Sequence, residues 1–330
     1  MVNQLRVGIV GAGLMGYWHA CYAERCGAKI AAVVDPSQTN LKNFQKRFPG
    51  ATAFSPSDLS LLYADLDIAH ICSPSATHYD LALSALNSKL AVLCEKPVCA
   101  TVREANHLLE IAKGMQVCFA PVHQLANQPG FKKLLNEKNR IGEPVMATHL
   151  ICSQGAEGKT PEEQRKILHE ILPHSAYLLY RFLGSTESIE ALQVVRFTDT
   201  FLSLNCTHND VFVNVQISLE GRPARNEFVV VGSKGSAYVD LFHGFVRFEN
   251  LKGGREGKLL RPFVNSSTSM VNAFANLTGR IARRETAFPG LLNTIDSFHN
   301  SVRSHSSLVS EEEILCTSRL YERISNDCTQ

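Results

Sequence analysis

The sequence predicts an α/β fold in two parts: a doubly wound parallel sheet over residues 1–122, then an α+β region over 123–330 built on an open-faced, mainly antiparallel sheet. Three observations carry this. A short apolar strand, Leu5 to Val10, runs directly into Gly11-Ala12-Gly13-Leu14-Met15-Gly16. Apolar strands and helical segments then alternate as far as Pro121, the rhythm of parallel βαβ units. From about Ser188 to Glu249, runs of alternating polarity follow one another, as antiparallel strands with two unlike faces do.

In the first part, strands are expected at Leu5–Val10, Ile30–Val34, Ile68–Cys72, Ala91–Cys94 and Gln116–Pro121. Helices are expected over Met15–Cys26, Ser37–Phe48, Ser57–Tyr63, His78–Ser88 and Val102–Lys113. Thr101 with Glu104 three positions on forms a capping box for the last of these. Beyond Pro121 the spacing predicts a helix over Phe131–Asn139 and strands over Val145–Cys152, Ile189–Phe197, Phe201–Thr207, Val211–Leu219, Glu227–Val231 and Ser236–Leu241. Thr160-Pro161-Glu162-Glu163 opens a further helix, with proline at N1 and glutamate at N3. Pro173 predicts that this helix stops near His169 and that another runs from Pro173 to Phe182, which puts His174 in a first turn. Helices close the chain at Ser269–Arg283, Pro289–Ser304 and Ser310–Ser325, the last with Ser310 and Glu313 as a capping box.

The glycine loop stands where strand gives way to helix, and each glycine has its own task. Gly11 permits the tight turn, Gly13 lets backbone approach a pyrophosphate, and Gly16 lets helix and strand pack closely. The helix that opens at Leu14 and Met15 offers unpaired N–H groups and a positive dipole end to phosphate. Asp35, nineteen positions after Gly16, ends the Ile30–Val34 run and is placed to accept hydrogen bonds from ribose hydroxyls. A carboxylate there repels a 2′-phosphate, and Pro36-Ser37-Gln38-Thr39 supplies no cation, so NAD(H) is expected in preference to NADP(H).

Composition narrows the remaining classes. The 330 residues carry a net charge of +2, with 45% apolar and 19% charged residues, which gives no ground for a nucleic-acid or membrane partner. No apolar stretch is long enough to span a bilayer, and the first strand begins too early for a signal peptide to be expected. The ten cysteines show no CxxC or Cys/His ligand spacing, and Cys72, Cys94 and Cys118 sit in or beside apolar runs. They read as thiols packed like small hydrophobes, in a cytoplasmic protein without a structural metal.

Three groups can do chemistry. Ser73-Pro74-Ser75-Ala76-Thr77-His78 follows the third strand, and Glu95-Lys96-Pro97 ends the next, both at the sheet edge where ligands of such folds bind. Each also reads as ordinary loop: Pro74 and Thr77 could shape a helix start, and Lys96 could be a solvated ammonium. Placed beside a cofactor, Lys96 could assist removal of a hydroxyl proton. The third is His174 with Tyr177 one turn later. A helix N-terminus disfavours imidazolium and leaves a ring able to accept a proton. A histidine packed between helix and sheet is the competing reading, and His123 and His169 are rivals nearby. Lys159 and Arg165 read best as solvated helix-face charges.

The order GAGLMG, a strand ending in Asp35, SPSATH, CEKP, IGEP and a helix-borne histidine resembles the Gfo/Idh/MocA oxidoreductase family, and VVVGSKGS (229–236) with the closing helices resembles its substrate domain. The resemblance implies an N-terminal Rossmann domain and a substrate domain whose open sheet face makes homo-oligomers, dimers or tetramers. It implies Lys96 orienting or deprotonating the hydroxyl of a sugar, sugar nucleotide or cyclitol and His174 acting as general base; Tyr177, outside that pattern, could still donate a hydrogen bond or take part in proton transfer. Hydride would pass between substrate carbon and NAD(H), with Gly11, Gly13, Leu14, Met15, Gly16, Asp35, Ser73, Pro74, His78, Glu95 and Lys96 around the cofactor. The chain departs from the family pattern at Glu170 and Tyr177, where aspartates are common, and at Pro173, where a glycine is usual. Leu125-Ala126-Asn127-Gln128 stands where arginines often precede the proline, so a less anionic substrate is expected. Two alternatives stay open: a non-catalytic NAD-binding regulator, and a reductase of an imine or unsaturated substrate.

Overall fold

Strands that are apolar on both faces must be covered on both faces, and the central strands of the first sheet are. The computed structural model describes residues 4–56, 63–184, 191–250 and 255–327. Its chain divides into two units, Met1–His123 with Leu291–Glu322, and Gln124–Gly290 with Arg323–Gln330.

In the first unit β1 (Arg6–Val10), β2 (Lys29–Val34), β3 (Thr52–Phe54), β4 (Ile68–Ile71), β5 (Ala91–Cys94) and β6 (Phe119–Pro121) form one sheet in the order β3-β2-β1-β4-β5-β6. Every pairing is parallel. The connections are α1 (Leu14–Arg25), α2 (Gln38–Arg47), α3 (His78–Asn87) and α4 (Val102–Met115). The expected capping box of α4 is formed, Thr101 accepting from Glu104 N and Glu104 from Thr101 N. Residues 57–62 of the helix expected at Ser57–Tyr63 lie outside the described residues. The chain moves outward from β1 to β3, then returns to β4 on the other side of β1. That reversal opens a crevice beyond the C-terminal ends of β1 and β4.

Two closing helices, α8 (Leu291–Ser304) and α9 (Glu311–Asp327) as far as Glu322, belong to this first unit rather than to the region after residue 122. Leu291, Ile295, Phe298 and His299 of α8 are buried, and α8 packs on α1. A boundary read from a change of rhythm cannot register helices that return to an earlier sheet.

The second unit is a seven-stranded mixed sheet. Its strands are β7 (Pro144–Cys152), β8 (Gln193–Phe197), β9 (Phe201–His208), β10 (Val211–Ser218), β11 (Arg225–Gly232), β12 (Gly235–Asp240) and β13 (Phe245–Asn250), in the order β13-β12-β11-β7-β10-β9-β8. All neighbours are antiparallel except β7 and β10. In β10 Val211, Val213, Val215 and Ile217 are buried while Phe212, Asn214 and Gln216 are more exposed, the alternation of a sheet covered on one side. Helices α5 (Pro129–Asn136), α6 (Pro161–Leu183) and α7 (Arg255–Ala282) complete the unit.

Two helix expectations are corrected here. The segment expected to break at Pro173 is one helix, α6, with Pro173 inside it; Thr160 and Glu163 make the expected capping box and Gly184 closes it in the left-handed conformation. Proline removes one helical hydrogen bond at a cost of about 3 kcal/mol. Leu168, Leu172, Ala176, Leu179 and Phe182 are all buried along the same helix, and each leucine and the phenylalanine contributes roughly 1.5–3 kcal/mol. His149 of β7 adds a tie, facing Ser175 Oγ at 2.9 Å and Asn226 Oδ1 at 2.8 Å. Packing therefore carries the helix through the proline. Likewise α7 begins at Arg255, well before Ser269, with Pro262 inside it.

Candidate functional site

The crevice of the first unit is a cleft of about 910 Å³, within the range of small-molecule and cofactor sites. Gly11, Gly13, Leu14, Met15, Asp35, Ser73 and Pro74 line it, all of them expected from the sequence. Gly11 has φ +98°, and a Cβ there would stand 2.8 Å from the backbone of Cys72 and Ser73. A Cβ on Gly16 would stand 1.8 Å from Gly11 O, so this glycine lets α1 cross its own loop. Gly13 differs, since a Cβ would meet nothing within 4 Å. Gly13→Ala is therefore expected to leave the melting temperature unchanged while weakening NADH binding, whereas Gly16→Ala lowers both. Thermal melts and fluorescence titration of the two variants check this.

Helix α1 has no side-chain cap and no acidic residue in its first turn. Its N-terminal N–H groups thus have no built-in acceptor, the condition that suits a bound pyrophosphate. Asp35, at the end of β2, is buried. Its Oδ2 accepts from Ala12 N at 2.8 Å, and its Oδ1 accepts from Ser37 N at 2.7 Å and Asn40 Nδ2 at 3.2 Å. The carboxylate thus ties the glycine loop to β2 and keeps acceptor capacity toward the cleft. Ser37 and Asn40, with Thr77 and Asp80, line the cleft too. The sequence reading missed them; the signal was Asp35-x-Ser-x-x-Asn, a carboxylate followed by its own turn donors. No lysine or arginine is among the described residues lining the cleft. Open Gly13, uncapped α1 and buried Asp35 together fit a dinucleotide.

His78, Gly16, Glu95 and Lys96 do not line this cleft. His78 is buried, with Nδ1 2.7 Å from Pro97 O and Nε2 2.8 Å from Ser73 O. It fastens the loop after β4 to the turn after β5. Those strands are adjacent, Ile71 opposite Cys94, so Lys96 stands one strand along the same edge, half-buried. Burial pushes the thiols of Cys72 and Cys94 well up, which keeps them as packing groups.

Behind Lys96 lies a chain of buried side chains that the sequence reading did not assemble. Glu95 Oε2 accepts from Lys96 N at 3.2 Å. Its Oε1 is 3.2 Å from His19 Nε2, His19 Nδ1 is 3.2 Å from His70 Nδ1, and His70 Nε2 is 3.3 Å from His299 Nε2. With neutral rings one proton order satisfies every contact: His19 donates to Glu95, His70 to His19, and His299 to His70. Burial, with the neighbouring His19 and His299, holds His70 well below the ordinary histidine range. Burial also brings His299 down to about 4. Burial pushes the Glu95 carboxyl up, yet the hydrogen bond with His19 and the neighbouring Lys96 ammonium outweigh it, so Glu95 titrates below its usual value. The available sign was His70 itself, a polar residue inside the apolar run Ile68–Ile71.

In the second unit His174 is half-buried in the interior of α6, so the helix-terminus argument for a neutral ring does not apply to it. Tyr177 is buried, and its hydroxyl accepts from Arg181 at 3.1 Å. His169 lies 3.0 Å from Ser325 Oγ, and Arg165 pairs with Asp199 at the surface.

Residues 5–123 match the profile of the Gfo/Idh/MocA oxidoreductases, described as an oxidoreductase family with an NAD-binding Rossmann fold. By that match, the parallel-sheet region of the first unit is similar to the NAD-binding domain of that family. Inositol 2-dehydrogenase from Mycolicibacterium gilvum is 24% identical over 270 residues, 74% of each chain. D-glucoside 3-dehydrogenase from Escherichia coli is 31% identical over 113 residues, 34% of this chain and 32% of its own. The solved structure of UDP-N-acetylglucosamine 3-dehydrogenase from Acidithiobacillus ferrooxidans matches with a TM-score of 0.75 at 17% identity, covering 99% of this chain and 100% of that one, a likeness of fold. Among the described residues, no helix is long and apolar enough to cross a membrane.

Proposed function

We propose that this protein is an NAD(H)-dependent oxidoreductase acting on a secondary alcohol, or the corresponding ketone, of a cyclitol, sugar or sugar nucleotide. The observation that carries it is the cleft at the β1/β4 reversal, where an uncapped helix and a buried carboxylate meet beside the Lys96 turn. Inositol, glucoside and sugar-nucleotide dehydrogenases among the relatives support the substrate class. Bound nicotinamide supplies the hydride acceptor or donor. The Lys96 ammonium polarises the substrate oxygen and stabilises developing alkoxide charge, and His174 takes the hydroxyl proton, with Tyr177 as a hydrogen-bonding neighbour. Asp35 and the cation-poor cleft favour NAD(H) over NADP(H).

The test is absorbance at 340 nm with NAD or NADP and a panel of cyclitols, glycosides and sugar nucleotides. Turnover with NAD on at least one secondary alcohol is expected; none with either cofactor, despite NADH binding, points to the regulatory reading. Because Asp35 also holds Ala12, Ser37 and Asn40, Asp35→Ala is expected to weaken NADH roughly 10- to 100-fold, the worth of charged hydrogen bonds. It does more than relax discrimination. Equal titrations of wild type and variant with NADH would remove Asp35 from the site.

A further inference from the structure

Helix α7 lies on its unit with the wrong face inward for an ordinary amphipathic helix. Its inner side is polar. Asn272 Nδ2 donates to Val246 O at 2.9 Å and Asn276 Nδ2 to His243 O at 2.7 Å. Asn265 Nδ2 and Arg261 Nη2 each donate to the buried Glu249 at 2.7 Å, where Arg247 also bonds. These contacts clip the helix along β13. At 3.6 residues per turn, the opposite side carries Phe263, Met270 and Leu277 in one row, Leu260, Phe274 and Ile281 in a second, and Val264 and Val271 in a third. Each of these, and Leu259, is more than half exposed.

We infer that this outer stripe of α7 is a self-association surface, occupied by the same helix of a second copy of this chain. Area is the first reason. The nine side chains present roughly 1,000 Å², above the few hundred that monomers usually leave exposed and close to the ~800 Å² per partner of a stable interface. Spacing is the second: 263, 270 and 277, then 264 and 271, then 274 and 281, repeat every seven residues, the period of helix-on-helix packing. Charge is the third. Between Pro262 and Gly279 there is no Asp, Glu, Lys, Arg or His, so within that span a two-fold copy meets no charge of its own sign. An interfacial membrane helix instead turns free Lys and Arg toward headgroups, whereas here the polar face is turned inward, its asparagines and Arg261 bonded to Glu249, Val246 and His243. The helix runs along the β13 edge, and Glu249, to which it is bound, stands in register with Ser236, Val231, Met146 and Phe212 on the open sheet face, so the stripe borders the face that the family resemblance implies for oligomers.

The experiment is sedimentation of the full chain over a concentration series, wild type against Phe274→Glu, with Phe212→Glu on the open sheet face as comparison. Phe274→Glu is expected to halve the sedimenting mass, with circular dichroism and NADH binding unchanged; should it misfold, Val271→Lys on the same stripe takes its place. A monomeric wild type overturns the inference, as does an assembly that Phe212→Glu alone dissolves. Flotation of wild type with phosphatidylcholine–phosphatidylserine vesicles, lost in Phe274→Glu, assigns the stripe to lipid and overturns it too.

Discussion

Lys96→Met is expected to lower turnover roughly 10²- to 10⁴-fold while leaving NADH affinity within about twofold, the span of a lost proton-transfer or polarising group. The two effects separate because Lys96 stands outside the cleft lining, one strand along the sheet edge. Its turn is held from two sides. His78 bridges Pro97 O to Ser73 O, and Glu95 accepts from Lys96 N while the His19 ring faces its other oxygen. Stopped-flow single turnovers with saturating NAD and NADH fluorescence titration measure the two quantities independently. A variant that turns over at the wild-type rate would end the case for Lys96, and one that has lost NADH binding would show that the turn supports the cleft instead.

Acid should destabilise this protein well before its carboxylates titrate. His299 in the first unit and His149 in the second are both brought down to about 4 by burial, and burial holds His70 lower than the ordinary range as well. The sign follows from proton linkage. These rings bind protons more readily unfolded, at about 6.5, than folded, so their stabilisation is complete above pH 6.5 and is lost as pH falls from there toward 4. Within that window His149 and His299 each cost about 1.4 kcal/mol per pH unit. Urea midpoints should therefore fall steeply between pH 7 and pH 5. Glu95 acts later, its contribution present above its unfolded value and lost only as pH drops below it. His299→Phe should flatten the slope of the first unit. Midpoints that stay level over that range would mean the rings are protonated in the folded state.

The nucleotide-binding half was legible because its signals are local. A strand, a glycine loop, a helix and an acidic residue follow one another, and each constrains its neighbours in the chain; capping boxes at Thr101 and Thr160 are equally short-range. Pro173 misled for the same reason. Read locally it ends a helix, but the cost of one missing hydrogen bond is settled by how much of α6 is buried on the sheet, and no window of sequence around Pro173 holds that information.

The sequence alone therefore places the cleft, its glycines, Asp35 and the Glu95-Lys96 turn, since backbone conformation and strand ends follow from nearest neighbours. Folding alone decided what stands behind them. His19, His70, Glu95 and His299 come from a helix, two strand ends and a C-terminal helix that returns to the first unit, and only packing aligns their rings. The same holds for α7: its period announces two unlike faces, but hydrogen bonds from Asn265 and Asn272 to β13, and from Asn276 to His243 just before it, determine which face is left outward. Periodicity is a property of one segment, whereas burial is a property of what the other segments place against it.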